Sequence, residues 1–374
     1  MSENRNGSQR SGCVDRRSFI KTLGVTSVTA GVAGCIGGGS SSGSDGTLRV
    51  ATWSGPYTER FRNKIKKPYE EETGNTLKCI PGYSEILSKI EAAPKDKPPY
   101  DVTVADDYFY FQGKQSGLFQ EINHDNIPNY EEVFPVLKDI RTDDHKYGVP
   151  VEGNPNAIAY SENLESPPKK FSHFVEDDRG LDISLSDGFY IYPLQTGAIV
   201  ADEAEGTGEL YDEQYHDAPF NAIKEMNITK WFTSGAQIWE LFRNDIINTA
   251  QYYWATAAYQ SRTNDDLNLN VVVPEVTGGY FDDYCLVRGS DKKEQTEEFL
   301  NFLLRADVQT EWSKTSWEIK SNKNAEYPDF VSETIPTTNE ELKGLQLPDW
   351  GYLSDYSSDF SERMKTLKSQ QTGN

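Results

Sequence analysis

The sequence predicts an α/β protein of two lobes, and three observations carry that prediction. Beyond a glycine- and serine-rich stretch, the first segments alternate strand, helix, strand, helix, strand. That alternation implies a parallel sheet with right-handed crossovers. The roughly 330 residues beyond the stretch exceed one comfortable hydrophobic core. Finally, the run HKYGVPVEGNPNAIAYSEN at 145–163 is extended and punctuated by proline and glycine, and reads as a crossing from one lobe into another.

The first 34 residues read as an export signal. Arg16 and Arg17 stand before Ser18, Phe19, Ile20 and Lys21, and the apolar run 19–34 is studded with Gly, Thr and Ser. A membrane-spanning helix needs about 20 apolar residues, so this run is too short. A charged start followed by a brief apolar core fits a signal peptide. The arginine pair resembles the twin-arginine export signal. Val32-Ala33-Gly34-Cys35 resembles a lipoprotein box, which implies a lipid on the Cys35 sulfur and an anchor on the outer face of the cell membrane. Residues 35–46 then form a flexible tether.

Each element follows in turn. TLRVATW (47–53) is a strand, and GPYTERFRNKIKKPYEEETGN is a helix ending near Gly74. TLKCIPGY (76–83) is a second strand, SEILSKIEAA a helix, and YDVTVADD (100–107) a third strand that ends in acids. DYFYFQGKQSGLFQEI reads as helix and turn. Ligands of such sheets bind beyond the carboxyl ends of the strands. Here those ends carry Trp53, Ser54, Tyr83, Asp106, Asp107 and Tyr108. After the crossing, AQIWELFRND, IINTAQYYWATAAYQ and NLNVVVP form a second α/β stretch, and GGYFDDYCLVRGS returns the chain. KKEQTEEFLNFLLRADVQTEW has helical periodicity, with Phe299, Phe302, Leu303 and Leu304 on its apolar side. DFSERMKTLKSQQ is a terminal helix. The expected division is 47–156 with 284–325 for one lobe and 157–283 with 326–374 for the other.

Composition removes several functions. The formal net charge is −22, and it becomes −25 without residues 1–34. Such a surface repels nucleic acid. It suits molar salt, where a hydrated carboxylate surface keeps a chain soluble, and we read the chain as halophilic and archaeal. His124, His145, His173 and His216 are scattered, with neither HExxH nor CxxC, so no metal and no cofactor is expected. Cys79 and Cys285 are the cysteines of the folded part, and spacing alone leaves their pairing open. Asn227-Ile228-Thr229 is a glycosylation sequon whose use is equally open.

Six segments in order resemble the extracellular solute-binding proteins of ABC importers, in the group that includes the spermidine/putrescine-binding proteins. They are LRVATWSGPY, YEEETGNTLK, YDVTVADDYFYFQGKQSGLFQEI, IPNY, YGVPVEGNPNAIAYSEN and VVVPEVTGGYFDDYCLVRGS with TEEFLNFLLRADVQ. The resemblance implies a type II periplasmic-binding-protein-like fold, with the ligand cleft between its lobes. It also implies a monomeric receptor that closes on a small cationic solute, does no chemistry, and hands the solute to a permease.

Carried over residue by residue, the resemblance implies ligand contacts at Trp53, Ser54, Tyr83, Asp106, Tyr108, Asp187, Trp254, Phe281 and Asp283. Asp283 is the foremost amine ligand of that set. Aromatic faces along an aliphatic amine add cation–π attraction of ~0.5–2 kcal/mol each. The family's D-D-A-R-E stretch is here DGFYIYP (187–193), so acidic positions fall on Gly188 and Ile191, and Phe281 replaces a tryptophan. Asp106, Asp107 or Glu152 could compensate. Other ligands, such as thiamine, another amine or a sugar, stay open. A secreted hydrolase is the rival class, but the G-x-S-x-G match at 39–43 lies in the tether, without the strand and helix that chemistry needs.

Overall fold

The computed structural model describes residues 46–201 and 206–372. The export signal, Cys35 and the G-x-S-x-G match lie outside the described residues. The strands, in chain order, are β1 (Thr47–Trp53), β2 (Thr76–Gly82), β3 (Val102–Ala105), β4 (Gly148–Ser161), β5 (Ile183–Ser186), β6 (Ile228–Phe232), β7 (Thr249–Tyr253), β8 (Leu269–Val272), β9 (Thr277–Leu286), β10 (Ile319–Lys320) and β11 (Leu345–Gln346).

Leu48, Val50 and Ala51 are fully buried, which places β1 inside the sheet. It pairs in parallel with β2 on one side and β3 on the other, with Val50 opposite Cys79 and Val102. The expected helix before β2 has three parts: α-helical Pro56–Phe61, a wider π turn Arg62–Lys66, and α-helical Lys67–Thr73. Pro68 has no N–H to close the next α-helical bond, and the wider turn accommodates the loss. Gly74, at φ 73°, ends the helix in the left-handed conformation that glycine adopts without penalty.

The 14-residue β4 is shared between two sets of strand pairings. Its first half runs antiparallel to β9, and its second half, from Asn156, pairs with β7 and β8. One sheet therefore runs β2-β1-β3-β9-β4-β7-β5-β6, with β8 and β10 on β4 and β11 on β9. Gly148 and Gly153 allow β9 to approach closely, since a Cβ there would meet the Tyr284 and Tyr280 carbonyl oxygens at 2.4 and 2.5 Å.

Apolar side chains gather at both ends of that sheet. One core packs Val50, Phe61, Val104, Phe281 and Phe299, and also holds Trp254. A second surrounds β5, with Leu194 and Ile199 of helix Ile191–Ala201 and Leu353, Phe360 and Leu367 of helix Trp350–Thr372. A smaller third lies under helix Gly235–Arg243. The single helix expected over 292–312 is two, Lys293–Leu303 and Ala306–Ser316. Extended Arg305 separates them, and its guanidinium holds Asp307 and Glu72 at 2.5 Å each.

Cys79 and Cys285 are free thiols. Between β2 and β9 lie β1 and β3, so three strand spacings, roughly 14 Å, separate the cysteines, against the ~7 Å that a disulfide can span. Asn227 is exposed, and its side-chain amide donates to the Leu181 carbonyl at 2.9 Å.

Candidate functional site

The carboxyl ends of β1 and β3 meet the middle of β9. Helix Asp107–Gln115 begins there because Asp106 caps it, its Oδ1 accepting from the Phe109 N–H at 2.8 Å. Trp53 ends β1, half-buried between Tyr83 at 5.7 Å and Phe109 at 5.8 Å between ring centroids. Its indole Nε1 donates to Asp282 Oδ2 at 2.8 Å. Asp282 is 2% exposed, and its Oδ1 accepts no hydrogen bond among the described residues.

Three more acids share this region. Glu152 stands opposite Asp282 in the β4–β9 register. Its carboxylate pairs with the fully buried Lys320 ammonium and accepts from Tyr57 Oη at 2.5 Å. Glu318 lies 3.9 Å from the same ammonium. Asp106 completes the set through its electrostatic action on Asp282. Burial pushes the Asp282 carboxyl well up, and Asp106 and Glu152 add to the rise. Burial does the same to Glu318, reinforced by Glu152. The Asp106 carboxyl is pushed up to about 7 by burial, with Asp107 adding to it. Burial also opposes ionisation of Glu152, but Lys320, together with hydrogen bonds from Glu318 and Tyr57, holds that carboxyl below its usual value. Like charges in a low-dielectric pocket cannot all be carried without a counter-ion.

A group of aromatic rings borders this region. Tyr253 meets Tyr280, Tyr192 and Tyr252 with ring centroids 5.1, 5.2 and 5.0 Å apart. Asp106 acts electrostatically on both Tyr192 and Tyr253.

Of the residues anticipated from sequence, the structure brings together Trp53, Tyr83 and Asp106. Ser54 lies beside them, exposed, its backbone N–H donating to the Gly82 carbonyl at 3.0 Å. Tyr108 turns instead to Trp350 and Phe189, at 4.6 and 5.3 Å. Asp187, past the end of β5, pairs with Lys368 of the C-terminal helix. Trp254 and Phe281 are buried in the first core.

Asp283 faces away from Trp53. It is fully buried; its Oδ2 accepts from Arg141 Nε at 3.0 Å and Nη2 at 2.5 Å, and its Oδ1 meets His145 Nδ1 at 2.7 Å. Arg141 also holds Asp107 at 2.6 Å, and Asp107 Oδ2 accepts from the Phe281 N–H at 3.0 Å. Burial opposes ionisation of Asp283, but Arg141 and His145 outweigh it and keep the carboxyl below its usual value. This carboxylate is already fully partnered within the protein.

Successive side chains of a strand point to opposite faces, so Asp282 turns toward Trp53 and Asp283 toward Arg141. Sequence reasoning does not single out Asp282 or Glu318. The usable signal is that Phe281 and Asp283, two apart, must share a face, and Phe281 reads as core. A cavity of about 340 Å³ lies elsewhere, lined by Asp107, Lys114, Arg141, Lys343 and Trp350 among others. Neither Trp53 nor Asp282 lines it, and we place the candidate site at the strand ends, where buried acids lack partners.

Residues 64–337 match the family described as bacterial extracellular solute-binding protein, well over half of the chain. The chain belongs to that family. Among curated proteins, this solute-binding protein is similar to the putrescine-binding periplasmic protein PotF of Escherichia coli, 21% identical over 320 residues, covering 80% of this chain and 85% of PotF. Among solved structures it resembles the spermidine/putrescine ABC transporter substrate-binding protein PotD of Streptococcus pneumoniae. There the TM-score is 0.71 at 16% identity, covering 87% of this chain and 99% of PotD. It also resembles MotA of Agrobacterium tumefaciens, solved with glucopine, with TM-score 0.68, 17% identity, and coverage of 86% and 99%.

The two-lobe α/β solute-binding fold is thus established. The solute-binding protein works with a small-molecule ligand and an ABC permease, and its family and fold are those of transport proteins. Among the described residues no helix is long and apolar enough to cross a membrane.

Proposed function

We propose that this solute-binding protein captures a small, cationic, polyamine-like solute outside the cell, closes its lobes on it, and presents it unchanged to the permease of an ABC importer. One observation carries the reading. Asp282 is a buried carboxyl with a free oxygen, set beside an indole at the end of β1 and electrostatically coupled to Asp106. An ammonium supplies the missing charge partner and hydrogen-bond donor, and Trp53 and Tyr83 offer faces for the methylenes. The similarity to a putrescine-binding protein supports the same class of solute. In this reading Asp282 takes the amine-binding role that sequence matching places on Asp283. The chain works as a monomer tethered through lipidated Cys35 after twin-arginine export, and its acidic surface serves solubility in high salt.

The test is a thermal-shift screen of the mature protein in molar KCl against putrescine, spermidine, thiamine, betaine, simple sugars and a blank. A ligand at a hundred times its Kd adds ~2.7 kcal/mol of stability. A shift with the polyamines supports the reading. A shift with a neutral sugar alone replaces it.

A further inference from the structure

We propose that Glu318 is a specificity-determining residue of this site, forming with Asp282 a seat for the ammonium of a cationic ligand. The proposal rests on the reading above and adds a residue and an exchange to it.

The chain presents Glu318 deliberately. Helix Ala306–Ser316 ends at Trp317, a bulky residue held at φ 60°, and β10 begins at Ile319. A left-handed tryptophan is strained and persists only where surrounding structure requires it. Glu318 is 7% exposed; its carboxyl is hydrogen-bonded to that of Glu152, and its Oε2 accepts no hydrogen bond among the described residues.

The nearest cation does not satisfy it. Lys320 is committed to Glu152 and lies 4.2 Å above the Trp312 ring, leaving 3.9 Å to Glu318. One buried ammonium thus serves two glutamates. Asp282, whose Oδ1 is also unpartnered, feels Glu318 as a further negative neighbour. The other titratable groups that face this pair are Asp106, a further acid beside Asp282, Arg60, which favours ionisation of Glu318, and Tyr57, Tyr83, Tyr280 and Tyr284, which carry no charge at neutral pH. The set is four acids, Asp282, Glu318, Glu152 and Asp106, against two cations, Lys320 and Arg60.

The empty site resolves that excess by keeping a proton among the acids. An entering ammonium supplies the charge instead, and the proton leaves to solvent. Cation capture is therefore proton-coupled, and the seat discriminates against neutral ligands, which cannot displace the proton.

The experiment is titration calorimetry of the mature protein at pH 7 with whichever of putrescine, spermidine and thiamine gives the largest thermal shift. It is repeated in buffers of different ionisation enthalpy, which count released protons. The wild-type protein is expected to release protons on binding. Glu318→Gln should melt no lower than wild type, bind at least tenfold more weakly, and release fewer protons. Wild-type affinity and an unchanged proton count in Glu318→Gln would overturn the seat while leaving the receptor reading intact. If none of the three cations binds the wild-type protein, both readings fall.

Discussion

Replacing each of two adjacent aspartates by asparagine separates support from binding. Asp283→Asn removes one negative charge from a fully buried network in which Arg141 and His145 make three contacts to that carboxylate. Taking one partner from a buried ion pair costs ~3–5 kcal/mol. Asparagine keeps an acceptor, and Asp107 still holds Arg141, so the low end applies, about 3 kcal/mol. For a chain of this size that is a fall of roughly 6 °C in Tm, at ~2 °C per kcal/mol. The folded-state pKa of Asp283 is depressed, so its contribution is present above about pH 4 and is lost as pH falls through the folded value. The gap between variant and wild type therefore closes in acid. Asp282→Asn does the opposite. The amide oxygen still accepts from Trp53, and a carboxyl that burial already disfavours as an anion loses nothing by becoming neutral. Its Tm is expected to hold or rise, while affinity for a cationic ligand falls at least tenfold, ~1.4 kcal/mol. Melts at pH 7.5 in molar KCl and calorimetric titrations give both quantities. Weak binding with an intact Tm for Asp283→Asn, and the reverse for Asp282→Asn, would refute the assignment of faces.

Lys320→Met leaves Glu152 and Glu318 without their shared cation and should cost ~3–5 kcal/mol in urea denaturation. Adding Glu152→Gln should recover much of that loss. Because the Asp106 carboxyl is raised to about 7, the folded protein keeps a proton that the unfolded chain releases near pH 4. Its contribution to the stability of the ligand-free protein falls as pH rises from about 4 to about 7 and is level above that. Asp106→Asn, an equally good helix cap, should flatten that part of the Tm–pH profile. In a Cys35→Ser mature chain, reducing agent should leave Tm unchanged. Burial pushes the Cys79 thiol up to about 11 and holds the Cys285 thiol well above its usual value. A thiol reagent should therefore titrate Cys285 only as the protein unfolds.

The elements from β1 to helix Asp107–Gln115 are largely legible, because their local signals agree with one another. The TLRVATW strand, the helix stop at Gly74 and the acid that caps helix Asp107–Gln115 each follow from a residue's own chemistry. Trp53 and Asp106 follow too, since they sit where parallel strands end. The face of β9 was not legible. Nine of its ten residues are buried, so polarity does not alternate along it, and matching by spacing selects Asp283 over Asp282. The register irregularity between Pro150 and Glu152 on the partner strand is equally silent in sequence, yet it sets Glu152 opposite Asp282. Arg141 and His145 reach Asp283 from a loop more than 130 residues earlier, a contact that no local pattern encodes. Glu318 lies between a strained turn at Trp317 and the two-residue β10, a stretch too short to carry periodicity.

In a chain with 59 acidic residues, negative charge by itself points nowhere. What distinguishes an acid here is the balance between its burial and its partners. Glu85, Glu176 and Glu340 are exposed or nearly so, each beside a lysine or arginine, and lie in a solvated surface. Asp101 and Asp283 are buried and answered by arginine, with His145 completing Asp283, so they support the sheet. Asp282 and Glu318 are buried and incompletely answered. That condition destabilises an empty protein unless something arrives to correct it, and on the reading proposed above a cationic ligand corrects it by entering. On that reading the stability this solute-binding protein gives up at these buried acids is recovered when the cation binds. Closure of the lobes on a neutral molecule would leave the deficit in place.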